Sequence, residues 1–359
     1  MIGGDLAEIV AHDLPWHAFE GAHLLVTGAS GMLPSYAVHA LLALNDRHRL
    51  GMSVWALVRN EAKAQTVLAH ALGRPDFHLL VADVSEPFEF PSPLDWVIHG
   101  ASPARPALHA RDPVGTLRAN LAGTTNLLEL CRSRPGSGLL LMSSAEVYGE
   151  PSGHVALIDE NGYGGLDPVN PRACYSEGKR AAETLLTAYG QQYGVGGRIA
   201  RFGHVYGPGL DRSDGRVQAD FAANVAAGQD IVLNSDGSAV RTYTYVADAV
   251  AGMFYVLLRG DAKPYNVSDE NGLTSIRDLA TAFVRARPER GLRLRFADGV
   301  QPAGTSSVRH QGLSSARLAG LGWRPQVDLA AGLDRMVTAF ESSTNTGHAE
   351  AVAGRRRSL

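Results

Sequence analysis

Val26-Thr27-Gly28-Ala29-Ser30-Gly31-Met32-Leu33-Pro34 joins an apolar run over residues 23–27 to a helical stretch over 33–44. Glycines in such a turn let the backbone approach a pyrophosphate, and the NH groups of a helix N-terminus meet that anion with a favourable dipole. The motif is weak evidence on its own. Its place strengthens it, because the turn sits where the first strand becomes the first helix of an alternating series. Gly28, Ser30, Gly31 and Met32 are therefore the candidate cradle. The third glycine of the usual pattern is Pro34 here. Proline is tolerated in a helix's first turn, where its missing NH would be unpaired anyway.

Outward from this turn, short apolar runs recur at 53–58, 77–81, 96–99, 139–143 and 198–202. Most lack period-2 polarity, as strands buried on both faces do. Residues 61–72, 113–131 and 173–193 read as helices between them. The alternation predicts an α/β fold built on a doubly wound parallel sheet of the Rossmann kind. Beyond Phe202 the pattern loosens into glycine, proline and aspartate clusters, with helices expected near 217–227, 246–258 and 275–286. The expected organisation is a dinucleotide-binding domain over 1–203 and a smaller C-terminal substrate-binding lobe over 204–340. Part of 240–270 returns to the first domain, and 341–359 is a flexible tail. Residues 1–20 carry Asp5, Glu8, His12 and Asp13 among apolar residues. They suggest a short helix on the outside of the domain, neither a signal peptide nor a membrane span.

The chain has 359 residues, 45% of them hydrophobic, and a formal charge of −3, which gives no basis for nucleic-acid binding. Arg355-Arg356-Arg357 reads as a solvated terminus. Cys131 and Cys174 form no CxxC pair, so a reducing cytoplasm is expected, and the 13 histidines show no HExxH or HxH spacing that would suggest a metal. The second apolar run ends in Val58-Arg59-Asn60, where NAD-specific folds place an acidic residue for the ribose hydroxyl. Arg59 could instead meet a 2′-phosphate or stack on adenine, so NAD is expected and NADP stays open. Asp83, which closes the third strand, and Val84 after it are placed to meet the adenine; an ordinary strand-end turn is the alternative.

Lys179 is one of only three lysines among 33 basic residues, and it lies four residues after Tyr175. Residues four apart share a helix face. A free phenol titrates near pKa ~10, and a neighbouring cation stabilises its phenolate. Lysine offers a compact charge for this, whereas arginine brings a wide planar fork. The alternative is an amphipathic helix that carries both residues by chance. In the proposed sheet, Ala101-Ser102-Pro103, Ser143–Gly149 and the Tyr175 helix all meet at the carboxyl ends of the strands. Ser144 would hold a reacting hydroxyl and Tyr175 would take its proton. Glu146 adds a carboxylate that simple dehydrogenases of this geometry do not need.

With these residues the chain resembles the extended short-chain dehydrogenase/reductase family, and within it the UDP-glucuronic acid decarboxylases, from Leu24 to about Phe340. The most specific stretch is Pro171-Arg172-Ala173-Cys174-Tyr175-Ser176-Glu177-Gly178-Lys179-Arg180. Ala101-Ser102-Pro103, Glu146-Val147-Tyr148-Gly149, Tyr206-Gly207-Pro208, Asp214-Gly215-Arg216-Val217 and Gly320-Leu321-Gly322-Trp323 match as well. The resemblance implies a closed redox cycle on a UDP-linked sugar, with NAD as cofactor and Ser144, Glu146, Tyr175 and Lys179 as the catalytic set. Ala101 and Ser102 would line the cofactor. Pro103, Arg172, His204 and Val217 would line the substrate, with Arg216, Arg241 and Arg309 near its diphosphate. It also implies a homodimer paired through the helices over 113–131 and 173–193.

Several departures bear on the substrate. The decarboxylases usually read Thr-Ser-Glu where this chain has Ser144-Ala145-Glu146, His204 replaces an asparagine, and one residue is missing between Tyr163 and Pro171. A 4,6-dehydratase would want an acid where Ala145 stands, and a 4-epimerase would leave Glu146 without a task. A nucleotide-sensing protein without turnover is the most distant reading.

Overall fold

The computed structural model of the chain describes residues 2–150, 156–297 and 310–356. Its frame is a parallel sheet of β1 (His23–Thr27), β2 (Ser53–Val58), β3 (Phe77–Val81), β4 (Trp96–His99), β5 (Gly138–Ser144) and β6 (Gly196–Phe202). They run in the order β3-β2-β1-β4-β5-β6. Every one of these strands falls on an expected apolar run. The missing polarity period has a simple cause: successive side chains point into two different cores. Leu24, Val26, Ile98 and Leu140 enter one cluster, whereas Leu25, Val97, Leu139 and Leu141 enter the other. Each such leucine is fully covered, which stabilises the fold by roughly 2 kcal/mol per side chain.

The helices that cover the sheet are α2 (Met32–His48) and α3 (Glu61–Val67), then α4 (Pro106–Arg111), α5 (Pro113–Arg132) and α6 (Cys174–Tyr193); α1 (Ile2–Val10) precedes them. Helix α3 is shorter than the expected 61–72. The chain leaves it through Gly73, at φ 81°, and Pro75, which cannot continue a helix. Helix α4 has no counterpart in the sequence reading; Pro106 starts it at its first position.

Beyond β6 the chain forms β7 (His204–Tyr206), α7 (Val217–Ala226), β8 (Ile231–Leu233), β9 (Val240–Tyr245), α8 (Val246–Arg259), β10 (Pro264–Val267) and α9 (Ile276–Arg285). Strand β10 pairs with β6 and becomes the seventh strand of the main sheet. Strand β9 centres a small second sheet, with β7 and His310–Gln311 parallel to it and Leu273–Ser275 antiparallel. The last helix, Leu329–Arg356, runs on where a flexible tail from 341 was expected, and Glu341 ties it to Arg287 at 3.0 Å and Arg290 at 2.6 Å.

Helix α1 also corrects an expectation, since it is not simply applied to the outside. Asp5 is buried and accepts hydrogen bonds from Tyr36 of α2 at 2.9 Å, Tyr245 of β9 at 3.0 Å and Arg335 of the last helix at 3.1 Å. No helix among the described residues is long and apolar enough to cross a membrane. After β3 the chain returns to the far side of β1 to form β4, and this reversal leaves a crevice at the carboxyl ends of β1 and β4. Ligands of open α/β sheets bind at such a point.

Candidate active site

The cradle turn lies at that crevice. Gly28 adopts φ 68°, and a Cβ there would stand 2.8 Å from Cα of Ala101, so only glycine lets the turn lie against the loop after β4. Gly31 caps α2, between Ser30 and Met32. Pro34 takes over the space of the missing third glycine, because a Cβ on Gly100 would fall 2.6 Å from the Pro34 ring. Close packing of helix on strand is thus kept by a glycine on the opposite side. Thr27 Oγ1 accepts from the Ala101 backbone NH at 3.2 Å and meets His99 Nδ1 at 2.8 Å, while His99 Nε2 reaches Thr124 at 3.2 Å. Burial, with Lys179 nearby, pushes the His99 imidazole down to about 3, so it stays neutral in this chain of bonds.

Two buried polar atoms, Ser102 Oγ just beyond β4 and Asn120 Oδ1 on α5 beside Gly178 of α6, have no hydrogen-bond partner among the described residues. Buried polar groups are rarely left unpaired, so these two are suited to a bound polar ligand. The steric demand at Gly28 and the orphaned atoms together fit a dinucleotide. Arg59 and Asp83 stand 3.6 Å apart at the ends of β2 and β3, both solvent-facing. Asp83 also accepts from the Ser85 NH and hydroxyl, which makes the strand-end turn. Val84 follows Asp83 beyond the end of β3. Its side chain is buried in the core, where a Cβ on Gly123 would meet it at 2.9 Å.

Ser144 ends β5, and Tyr175 and Lys179 occupy the first turns of α6. The four-residue spacing does put both on one face, with the ammonium 5.8 Å from the phenol ring centre. The expected effect on the phenol is absent, however. Lys179 Nζ donates to the Met142 carbonyl at 2.8 Å, and burial drives the lysine down to about 8. Burial likewise pushes Tyr175 up to about 12, against a hydrogen bond from Ser144 that lowers it. Glu146 raises it further and Arg216 lowers it. In the free protein the phenol is therefore firmly protonated at neutral pH. The Glu146 carboxylate is held by the Ser176 hydroxyl at 2.9 Å.

The second sheet supplies the facing wall. Pairing of β7 with β9 and of His310–Gln311 with β9 brings His204, Arg241 and Gln311 side by side. Gln311 links His204, at 3.3 Å, to the Ala145 carbonyl, at 3.1 Å. Burial and the nearby Arg241 push His204 down to about 3. Arg216, just before Val217 at the start of α7, is paired with the buried Asp214, and Arg241 feels the charge of Glu146. Arg309 lies outside the described residues. Arg172 does not face the same wall: its Nη1 donates to His109 Nδ1 at 3.0 Å, and His109 Nε2 donates to the Pro103 carbonyl at 2.8 Å. His109 and Gln311 were missed from the sequence. No spacing announces either, because each reaches the site from a segment whose position depends on long-range packing.

The family model for the NAD dependent epimerase/dehydratase family matches residues 24–268. The chain belongs to that family. A family relative named UDP-glucuronic acid decarboxylase 3, from Arabidopsis thaliana, is 31% identical over 322 residues, covering 90% of each chain. Among solved members, the Thermus thermophilus UDP-glucose 4-epimerase in complex with NAD is 28% identical with TM-score 0.72, over 89% of this chain and 98% of that one. A UDP-glucuronic acid 4-epimerase from Bacillus cereus, in complex with UDP-glucuronic acid and NAD, shares the fold at TM-score 0.74 and 20% identity, over 89% and 99% of the two chains. NAD dependence thus comes with the family, and the cradle around Gly28 has the shape it requires.

Proposed function

We propose that this chain is an NAD-dependent decarboxylase acting on a UDP-linked uronic acid, UDP-glucuronate. The observation that carries the reading is Glu146, a carboxylate fixed by Ser176 and acting on the Tyr175 phenol, next to an Ala145 that has no proton to give. Relatives named UDP-glucuronic acid decarboxylases support it across nearly the whole chain.

Ser144 holds the sugar's 4-hydroxyl and Tyr175 accepts its proton. NAD, when bound, supplies the hydride acceptor and a positive ring charge that counters the high phenol pKa. Lys179, anchored on Met142, fixes the helix turn that carries Tyr175. The resulting 4-keto group is β to the carboxylate, so the bond between carbons 5 and 6 breaks, carbon dioxide leaves, and the electron pair is held as an enolate. Glu146 assists the proton that then reaches carbon 5. The product is UDP-4-keto-pentose, or UDP-xylose once carbon 4 is reduced again. Arg216 and Arg241 face the diphosphate with forks suited to it. A 4,6-dehydratase would need an acid in place of the buried Ala145 methyl.

Mass spectrometry of the protein mixed with UDP-glucuronate and NAD⁺ is expected to show carbon dioxide loss and a pentose nucleotide or its 4-keto form. Unchanged UDP-glucuronate together with dehydration of a UDP- or dTDP-hexose would replace this reading by the dehydratase. Tyr175→Phe should lose turnover while still binding NAD, and near-normal turnover in that variant removes Tyr175 as the base. The same reading includes a homodimer paired through α5 and α6, and a solution mass of one chain would remove it.

A further inference from the structure

The imidazole of His109 lies flat on the Tyr175 phenol, ring centres 4.6 Å apart and planes within 13°. It is almost fully covered and held at both nitrogens. Nε2 has the Pro103 carbonyl as its acceptor, and Nδ1 receives the Arg172 guanidinium. A carbonyl can only accept and a guanidinium can only donate, so the ring is the neutral Nε2–H tautomer. Its plane is thereby set by two bonds to two separate segments, the loop after β4 and the turn before α6. The Cys174 thiol, pointing at the His109 carbonyl at 3.9 Å, ties α4 directly to α6. None of these residues touches the phenolic oxygen, which Ser144 and the charges of Glu146 and Arg216 address.

We propose that His109 is a positioning residue that holds the Tyr175 hydroxyl in place by stacking on the phenol face as a locked neutral imidazole. The inference rests on Tyr175 being the proton acceptor of the proposed reaction. The phenolic oxygen lies on the Cβ–Cγ axis, so turning about that bond leaves it in place, whereas a swing about Cα–Cβ displaces it; an imidazole packed on one face blocks that swing, and a displaced acceptor loses rate far out of proportion to the displacement. The neutral tautomer matters equally. A protonated ring would direct an N–H at the Arg172 guanidinium, which would break the Arg172 bond and leave the imidazole held on one side only.

The test compares His109→Ala and His109→Phe in NAD-loaded protein, with two readouts. With UDP-glucuronate, His109→Ala should lower kcat by about tenfold to a hundredfold with KM changed by no more than about threefold, and His109→Phe, which keeps a ring on the phenol, should recover most of kcat. Equal rates in wild type and His109→Ala, or a His109→Phe no better than the alanine variant, overturn the proposal. The second readout needs no substrate. In protein labelled at the tyrosine ring carbons and assigned with Tyr175→Phe, the Tyr175 titration midpoint should move in His109→Ala and return in His109→Phe; a midpoint identical in all three overturns the proposal. Failure of UDP-glucuronate as a substrate leaves this titration readable, so the two readings fail separately. Should the alanine variant not fold, nitrogen NMR of the wild-type ring decides: the Nε2–H tautomer without titration between about pH 5.5 and 8.5 supports the lock, and ordinary titration overturns it.

Discussion

Lys179 is a charge buried without a carboxylate in direct contact, its ammonium spent on one carbonyl. Burial lowers its pKa from the ordinary value to about 8, with Glu183 opposing. A cation whose folded pKa is depressed opposes folding while it is charged, so stability should rise as pH climbs from about 8 towards the unfolded value near ~10.4. The rise should be on the order of 3 kcal/mol and should vanish in Lys179→Met, as read from chemical denaturation of the two proteins across that window. A variant that keeps the full rise places the titration elsewhere. The sequence made the Tyr175–Lys179 pairing visible because helix geometry is local. It misjudged the electrostatics, because the Met142 carbonyl that captures the ammonium comes from β5, 37 residues away in the chain.

Among the elements, α8 shows how a short motif earns its place through packing. Asp248 is buried in its first turn and accepts from the backbone NH groups of Gln326 at 2.9 Å and Val327 at 3.0 Å. Its own carbonyl takes the indole NH of the fully buried Trp323 at 3.1 Å. Gly320-Leu321-Gly322-Trp323, recognisable in the sequence as a family match, is therefore a docking turn that fastens the C-terminal segment onto α8. Asp248→Ala leaves the buried Val327 NH and the part-buried Gln326 NH without their acceptor and should cost about 1–3 kcal/mol, measurable as a lower denaturation midpoint at unchanged slope. An unchanged midpoint would mean that water replaces the carboxylate. Strand β10 is another element whose role depends on distant pairing, since it sits beside β6 only after the chain has built β7, β8, β9 and α8.

Asp5 joins the cradle helix, the second sheet and the last helix through Tyr36, Tyr245 and Arg335, and Glu8 accepts two further bonds from Arg335, at 2.7 and 2.8 Å. Asp5→Ala would strip two buried hydroxyls of their acceptor, so the melting temperature should fall and NAD affinity should weaken severalfold, because Tyr36 belongs to the helix that opens at Gly31. Calorimetry and NAD titration check both; loss of stability with unchanged NAD affinity would confine α1 to a structural role. The sheet, its strand bounds, the cradle and the Ser144, Tyr175 and Lys179 set follow from local rules: hydrophobic runs, glycine conformational freedom and helical spacing act over a few residues and can be read in order. Which side chains face Tyr175, where Lys179 sends its charge, and what Asp5 binds depend on segments brought together from far along the chain. Such contacts are set by the packing of surfaces, and no short-range pattern records them.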